Sequence, residues 1–370
     1  MEAWIIGLGT AGVVIFTLLP LARAKVWWIR GADFPRAQLA VLGLVLCIAS
    51  LTLLRESEAI RGWLAGANAL AVSYQLWWIL PYTLLFRREV KRASPDMPRG
   101  DSLTILSVNV LMTNTRADEL RKLVRATRPD VLITLETNSW WERALSSLEQ
   151  EYPHRLRCPL ENLYGMHLYS RLPLEDAKIQ FLVESRVPSM HTLLVLPSGR
   201  RVCLHCLHPA PPSPTENETS GERDAELVMV GKSVARAKFP VVVSGDLNDV
   251  AWSRTTRLFR KVSGLLDPRI GRGMHNTYHA AYWFARWPVD HFFVSRDFTV
   301  HRLERLPAIG SDHFPVLIEL QCGDLPPAAE APRPDATDEK DAEEALRNEA
   351  VSSTEVHRPG ESAARAPDSV

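Results

Sequence analysis

The chain opens with three long apolar stretches and then changes rhythm. Residues 3–21, 38–54 and 63–86 are nearly free of charge, and each approaches the ~20 residues that a helix needs to cross a hydrocarbon core of about 30 Å. Trp27, Trp28, Trp77, Trp78 and Tyr82 stand near their ends, where aromatic rings collect at a membrane interface. This pattern predicts three transmembrane helices within residues 1–90. A leader peptide fits the first stretch poorly, because no basic segment precedes it and two further stretches follow.

Beyond a short linker at 91–101 the apolar runs shorten and alternate with polar turns. Strands are expected at 103–111, 130–136, 191–196, 201–207, 240–245, 290–295, 298–303 and 314–320. Amphipathic helices are expected at 117–128, 139–150 and 221–238. This mixture predicts an α/β domain over 102–322. Residues 323–370 are rich in Pro, Ala and Glu and poor in large apolar side chains, and are expected to be a disordered tail.

The chemistry sits at the ends of the strands. The run Pro240-Val-Val-Val leads into Gly245-Asp-Leu-Asn-Asp-Val-Ala-Trp-Ser253. Side chains on a strand alternate, so Asp246 and Asn248 share a face at its rim. An acid there holds a hydrated cation or takes a proton from water, and an amide donates to a phosphate oxygen. The same residues also start ordinary turns. Five further strand ends carry polar groups: Asn109, Glu136, His208, Asp290, and Asp312 with His313. Taken singly, each has a plain structural reading as a turn cap, a solvated strand end or a core histidine. Six together in one chain argue for a site.

In this order the motifs resemble those of the endonuclease/exonuclease/phosphatase superfamily, the deoxyribonuclease I-like group. That group includes abasic-site endonucleases, neutral sphingomyelinases and inositol polyphosphate phosphatases. The matching elements are an Asn-Val strand (Asn109), a strand-ending Glu136, a strand-ending His208, Gly-Asp-x-Asn (Asp246, Asn248), Asp290, and Ser311-Asp312-His313. The family's usual Thr before the His is Leu207 here. The local Leu-His-Pro-Ala-Pro-Pro is similar to membrane-tethered bacterial members. The resemblance implies a four-layer α/β sandwich and a Mg²⁺-dependent phosphoester hydrolase of phosphodiesterase, phosphatase or nuclease type, with Mn²⁺ as the alternative ion. It implies Asn109, Glu136 and Asp312 around the metal, and His208, Asp246, Asn248, Asp290 and His313 as the catalytic set. The expected partners are a lipid bilayer and a phosphoester: a lipid headgroup, a small phosphoester or nucleic acid. No protein partner is inferred.

Composition narrows this further. Lys plus Arg and Asp plus Glu are equal at 43 each, so no strongly basic face marks a nucleic-acid binder. The five cysteines make no disulfide framework. Cys203, His205, Cys206 and His208 resemble a metal cluster in spelling, but a strand sends 203 and 205 to one side and 206 and 208 to the other. Trp283 and Trp287 are read as core, with a substrate platform as the alternative, and His279 as loop or wall. A multi-pass protein of a bacterial inner membrane is expected. Lys and Arg in the first loop and after the third stretch favour a cytoplasmic catalytic domain, whereas tethered relatives carry theirs outside, so the side stays open. A catalytically idle membrane scaffold and a phosphoinositide- or nucleotide-sensing module are the alternatives to an enzyme.

Overall fold

A computed structural model describes residues 2–55, 58–93, 101–323 and 331–361. Most of the expected linker (94–100) and parts of the expected tail (324–330, 362–370) fall outside these. The chain divides into two units. One contains residues 1–87 with 212–220 and 271–273, and the other holds the remainder.

The N-terminal unit is helical, with α1 (Glu2–Leu18), the short α2 (Trp27–Arg30), α3 (Arg36–Thr52) and α4 (Glu58–Ile79). It is built inside out. Trp4, Leu8, Trp63, Leu70 and Trp77 are exposed, whereas Thr10, Thr17, Arg36, Asn68 and Gln75 are buried. The buried groups satisfy one another. Asn68 donates to Thr10 Oγ1 at 2.8 Å and Gln75 to Thr17 Oγ1 at 2.9 Å. Arg36 donates to Gln75 Oε1 at 2.9 Å and pairs with Asp33 at 2.5 Å.

Three membrane spans are not what the described residues contain. One helix, Glu2–Leu21, is long and apolar enough to cross a membrane, or two if the pair Trp27–Asp33 and Arg36–Thr52, bent by 68°, forms one span. The second apolar stretch forms α3, which is 17 residues long and meets the preceding helical turn at that bend. The third, α4, is diluted by Asn68, Ser73, Tyr74 and Gln75.

The second unit holds two sheets. The first runs in the order β10-β11-β1-β2-β4-β3, from β1 (Ser102–Asn109), β2 (Val131–Leu135), β3 (His154–Cys158), β4 (Met166–Ser170), β10 (Phe298–Arg305) and β11 (Val316–Cys322). The second runs β5-β6-β7-β8-β9, from β5 (Leu174–Gln180), β6 (Ser189–Val195), β7 (Arg201–Leu207), β8 (Val241–Asp246) and β9 (Asp290–Val294). Only β1 with β2 and β7 with β8 pair in parallel among the described strands. A parallel pair needs a crossover, and α5 (Ala117–Thr127) and α7 (Gly221–Val234) provide them.

Alternation on each strand makes the layers. Ile105, Ile133 and Leu168 of one sheet meet Leu204, Val242 and Phe292 of the other in a shared core. The first sheet's outer face, with Leu106 and Leu132, packs on Leu120 and Val124 of α5 and on Trp141 of α6 (Ser139–Ala144). The second sheet's outer face, with Val243 and Phe293, packs on Leu227 and Val230 of α7 and on Phe259 of α8 (Arg254–Ser263). This is the expected sequence of four layers. Cys203 and Cys206 enter different clusters, as the alternation requires.

The tail departs from expectation. Within it, α9 (Ala336–Asn348) starts at an Asp335–Asp338 capping box and lays Ala342 and Ala345 on Val228 of α7 and Leu258 of α8. Two alanines suffice because small side chains let the backbones come close. Lys261 fixes the register by pairing with Asp338 at 2.6 Å.

The second unit also buries neutral histidines. His191 Nδ1 and His205 Nδ1 lie 2.7 Å apart and share one proton. Burial pushes His167, His205 and His291 down to about 3, from an unfolded value of about 6.5. A lowered imidazole pKa means that the unfolded chain binds more protons in acid. Stability is therefore complete above pH ~6.5 and falls as the pH drops toward 3. Urea midpoints measured across that window should decline, and His205→Asn should flatten the decline.

Candidate active site

The parallel strands of both sheets deliver their ends to one pocket. Asn109 closes β1, and its Nδ2 donates to Glu136 Oε1 at 2.8 Å and to Asp246 Oδ2 at 3.2 Å. One amide thus ties an acid of the first sheet to an acid of the second. Glu136 follows β2 in a left-handed conformation, φ 60°, which costs a non-glycine residue ~1 kcal/mol. Its second oxygen accepts from the Met112 N–H at 3.3 Å, so both oxygens hold the strained turn in place. Burial raises the Glu136 pKa.

Asp246 ends β8. The Asn248 N–H donates to its Oδ1 at 2.9 Å. Gly245 is what allows β8 to lie so close to β7: a Cβ there would sit 1.8 Å from the Leu207 carbonyl oxygen. Asn248 takes a left-handed φ of 52° and donates to the Pro209 carbonyl at 3.1 Å. His208, just beyond β7, places Nε2 3.9 Å from Asp246 Oδ2 and its ring beside Tyr164 at 5.2 Å.

Asp290 and His313 complete the pocket. Asp290 Oδ2 bonds His313 Nδ1 at 2.8 Å, and the other ring nitrogen points to Asp246 Oδ2 at 3.5 Å. The imidazole is held between two buried carboxylates. Burial alone would lower its pKa, but Asp290 and Asp246 raise it to about 10. Asp246 is pushed up by burial to about 7, against the pull of His313. Asp290 ends below the usual range despite burial, because His313 and Thr277 bond to it. His208 stays neutral, at about 3, through burial and the charge of His313. Asp312 lies at the rim, where its charge raises Glu136 and His313; Ser311 Oγ reaches its carboxylate at 3.3 Å.

Six of the eight expected residues are therefore joined by polar contacts of 3.5 Å or less, His208 stands 3.9 Å from Asp246, and Asp312 acts through its charge. Asp246, Asp290 and His313 also offer metal-ligand atoms within 4.8 Å of one another. Both His313 nitrogens already face carboxylates, Asp290 at 2.8 Å and Asp246 at 3.5 Å. Glu136 and the Asn109 amide oxygen are the oxygen donors suited to a hard cation.

Several supports escaped the sequence reading. The buried Arg223 of α7 donates to the Asn248 carbonyl at 2.7 Å and pairs with Asp249 at 3.1 Å, clamping the Gly-Asp-Leu-Asn loop from behind. His291 bonds the Asp249 carbonyl at 2.8 Å and Arg269 at 2.6 Å. Tyr278 lays its ring 4.9 Å from His313. None of these supports has a local trace in the sequence: Arg223 stands in the polar run Glu222-Arg-Asp-Ala-Glu226. Trp283 is exposed rather than core, and Trp287 is half-buried.

The site gathers its acids and histidines from the ends of β1, β2, β7 and β8, the start of β9 and the turn before β11. The sequence matches the Endonuclease/Exonuclease/phosphatase family over residues 106–313, and the chain belongs to that family. Solved structures with the same fold include an endonuclease/exonuclease/phosphatase from Beutenbergia cavernae, 18% identical over 62% of this chain and 74% of that one, with a TM-score of 0.51. D. rerio TDP2 complexed with a single-strand DNA product is 18% identical over 60% and 99%, with a TM-score of 0.51. The human Nocturnin catalytic domain with bound sulfate is 16% identical over 60% and 94%, with a TM-score of 0.50. No curated protein matches the chain.

Two outcomes test this geometry. Asp290→Asn should lower the His313 titration, followed by NMR, from about 10 toward the ordinary imidazole value. Gly245→Ala should destabilise the fold by ~2–4 kcal/mol in urea, because the Leu207 backbone cannot withdraw without breaking the β7–β8 pairing.

Proposed function

We propose that this chain is a membrane-tethered, Mg²⁺-dependent hydrolase that uses an activated water to cleave a phosphoester bond. The observation that carries the reading is the buried line Glu136–Asn109–Asp246–His313–Asp290. It combines oxygen donors at one end with a carboxylate and an imidazole, hydrogen-bonded to a second carboxylate, at the other.

The donor set fits a magnesium ion. Glu136 and the Asn109 amide are hard oxygen ligands, with Asp312 beside them, and Mg²⁺ favours one or two carboxylates plus substrate phosphate. When bound, such an ion neutralises phosphate charge and lowers the pKa of its water. Mn²⁺ suits the same ligands.

The remaining residues divide the other tasks. Asp246, raised to about 7, takes the proton of the attacking water; a base is most effective when its pKa lies near the working pH. Asn248 orients that water. His313, charged at neutral pH, donates from Nε2 to a phosphoryl oxygen as its charge develops, and the neutral His208 donates a second hydrogen bond. Asp290 keeps His313 protonated and correctly turned.

The tether rests on the N-terminal unit. The segment Glu2–Leu21 has the length and apolarity of a span, and the unit presents apolar side chains outward and polar ones inward. A bacterial inner membrane suits this arrangement. Extraction of the full chain by alkaline carbonate without detergent would count against it.

Activity is the direct test. Turnover by the full chain should stop in excess chelator and return with Mg²⁺, and Glu136→Gln should raise the Mg²⁺ requirement. Asp246→Asn should lower the single-turnover rate by ~10²–10⁴-fold, and His313→Ala by ~10²–10³-fold. The double variant should lose less than the product, because the two act as one unit. The rate should rise as Asp246 deprotonates through about 7 and fall as His313 loses its proton through about 10. If both single variants keep native rates, the roles given to Asp246 and His313 fail; a native chain that turns over none of the phosphoesters offered is an idle scaffold.

A further inference from the structure

The N-terminal unit is not made of its helices alone. Residues 212–220 and 271–273, far along the chain, belong to it as well. Backbone hydrogen bonds tie both segments in. Val26, just before α2, forms an antiparallel bridge with Thr219. Around it the Trp27 N–H donates to the Glu218 carbonyl at 3.1 Å, and the Ser220 N–H to the Lys25 carbonyl at 2.9 Å. The Gly271 N–H donates to the Pro81 carbonyl at 2.9 Å. A tether requires only the covalent link that follows α4, so these ties call for another role.

Both captured segments adjoin the active-site machinery along the chain. The first lies between His208, just beyond β7, and Arg223, in the first turn of α7. Pro209, Pro211, Pro212 and Pro214 stand in its approach from His208. Proline fixes φ, and a Pro-rich run is a semi-rigid spacer. The Ser213 N–H donates to the Asn217 carbonyl at 2.9 Å, closing the turn that joins this run to the bridge. A shift at 218–220 is therefore carried back toward His208 rather than absorbed. Forward of the bridge, Arg223 donates to the Asn248 carbonyl at 2.7 Å. The second segment follows Arg269, which holds His291 at 2.6 Å. It precedes Thr277, whose Oγ1 accepts the Asp290 N–H at 3.3 Å.

We infer that the helical unit is a positioning element of the active site: by holding the backbone at 218–220 and 271 it sets His208, Asn248 and Asp290 for turnover. Its effect on rate rests on the hydrolase reading above; the backbone ties do not. The helices then govern hydrolysis even of a water-soluble phosphoester, for which a tether alone is irrelevant.

Trp27→Pro breaks one tie and spares the helix. Trp27 is the first residue of α2, where the N–H has no partner within the helix and proline is favoured. Val26 before it is already extended, φ −65° and ψ 142°, as a residue preceding proline must be. Trp27→Ala removes the ring and keeps the N–H. Both variants of the full chain are compared with native protein in detergent micelles, using bis(p-nitrophenyl) phosphate with Mg²⁺. In Trp27→Pro, kcat should fall by about tenfold to a hundredfold with KM within about twofold of native, the cost of a catalytic group displaced from afar. Trp27→Ala should keep both constants within about twofold. Hydrogen exchange read by mass spectrometry should quicken over 209–224 and 245–250 in Trp27→Pro alone, with β1 and β2 as protected as in native protein. Native kcat in Trp27→Pro, a rise in KM alone, equal losses in both variants, or loss of protection in β1 and β2 would each overturn the inference. If the native chain hydrolyses no phosphoester, the hydrolase reading fails. Exchange then decides the positioning role by itself, and unchanged exchange at 245–250 in Trp27→Pro would sink it.

Discussion

Two carboxylates and one imidazole lie buried within reach of one another, and the surrounding structure answers to that fact. A buried ion is costly unless it is paired and hydrogen-bonded. His313 meets the condition by lying between Asp290 and Asp246. Asp246 in turn leans on the Asn109 amide and the Asn248 N–H. Removing any one leaves a charge without its counterpart. The strand ends are therefore not free to drift, and the backbone accepts left-handed turns at Glu136 and Asn248 to keep them in place.

A second arrangement holds the first. Arg223 grips the loop behind Asp246, and the Asp249 carbonyl receives His291, which rests on Arg269. Asp267 neutralises Arg269 at 2.7 Å. This shell is as buried as the acids and histidines it supports. The polar cluster thus extends from the rim to the α7–α8 layer, and rigidity at the pocket is set by groups that never reach it.

How far the sequence could be read follows from the distance over which each signal acts. The ends of β1, β2, β7 and β8 each follow a local apolar run and the start of β9 precedes one, so Asn109, Glu136, His208, Asp246 and Asp290 were legible. The strands β3, β4 and β5 were not recognised. The segment His-Arg-Leu-Arg-Cys of β3 carries polar residues on an edge, and β5 is a polar edge strand interrupted at Glu175–Lys178. The helix α8 hides its Leu258 and Phe259 among four Arg and Lys. The role of Arg223 depends on a partner 25 residues away, and no local pattern announces it. In the N-terminal unit the apolar runs were plain, but the bend after Asp33 and the buried amides of α4 act between helices, and composition averaged along one stretch does not register them.

The two sheets repeat one another. In each, a single parallel pair lies inside antiparallel neighbours, joined by one helix: β1-α5-β2 and β7-α7-β8. The first repeat ends in an amide and an acid, the second in a histidine and an acid. Approximate twofold symmetry of this sort divides the chemistry between two halves of the chain that are far apart in sequence. Neither half carries both Glu136 and Asp246, the two acids that the Asn109 amide ties together. Such a molecule has no partial competence to display while it assembles. Its pocket comes into being at the moment the two sheets close on their common core, and the appearance of activity in a refolding chain is a clock for that last event.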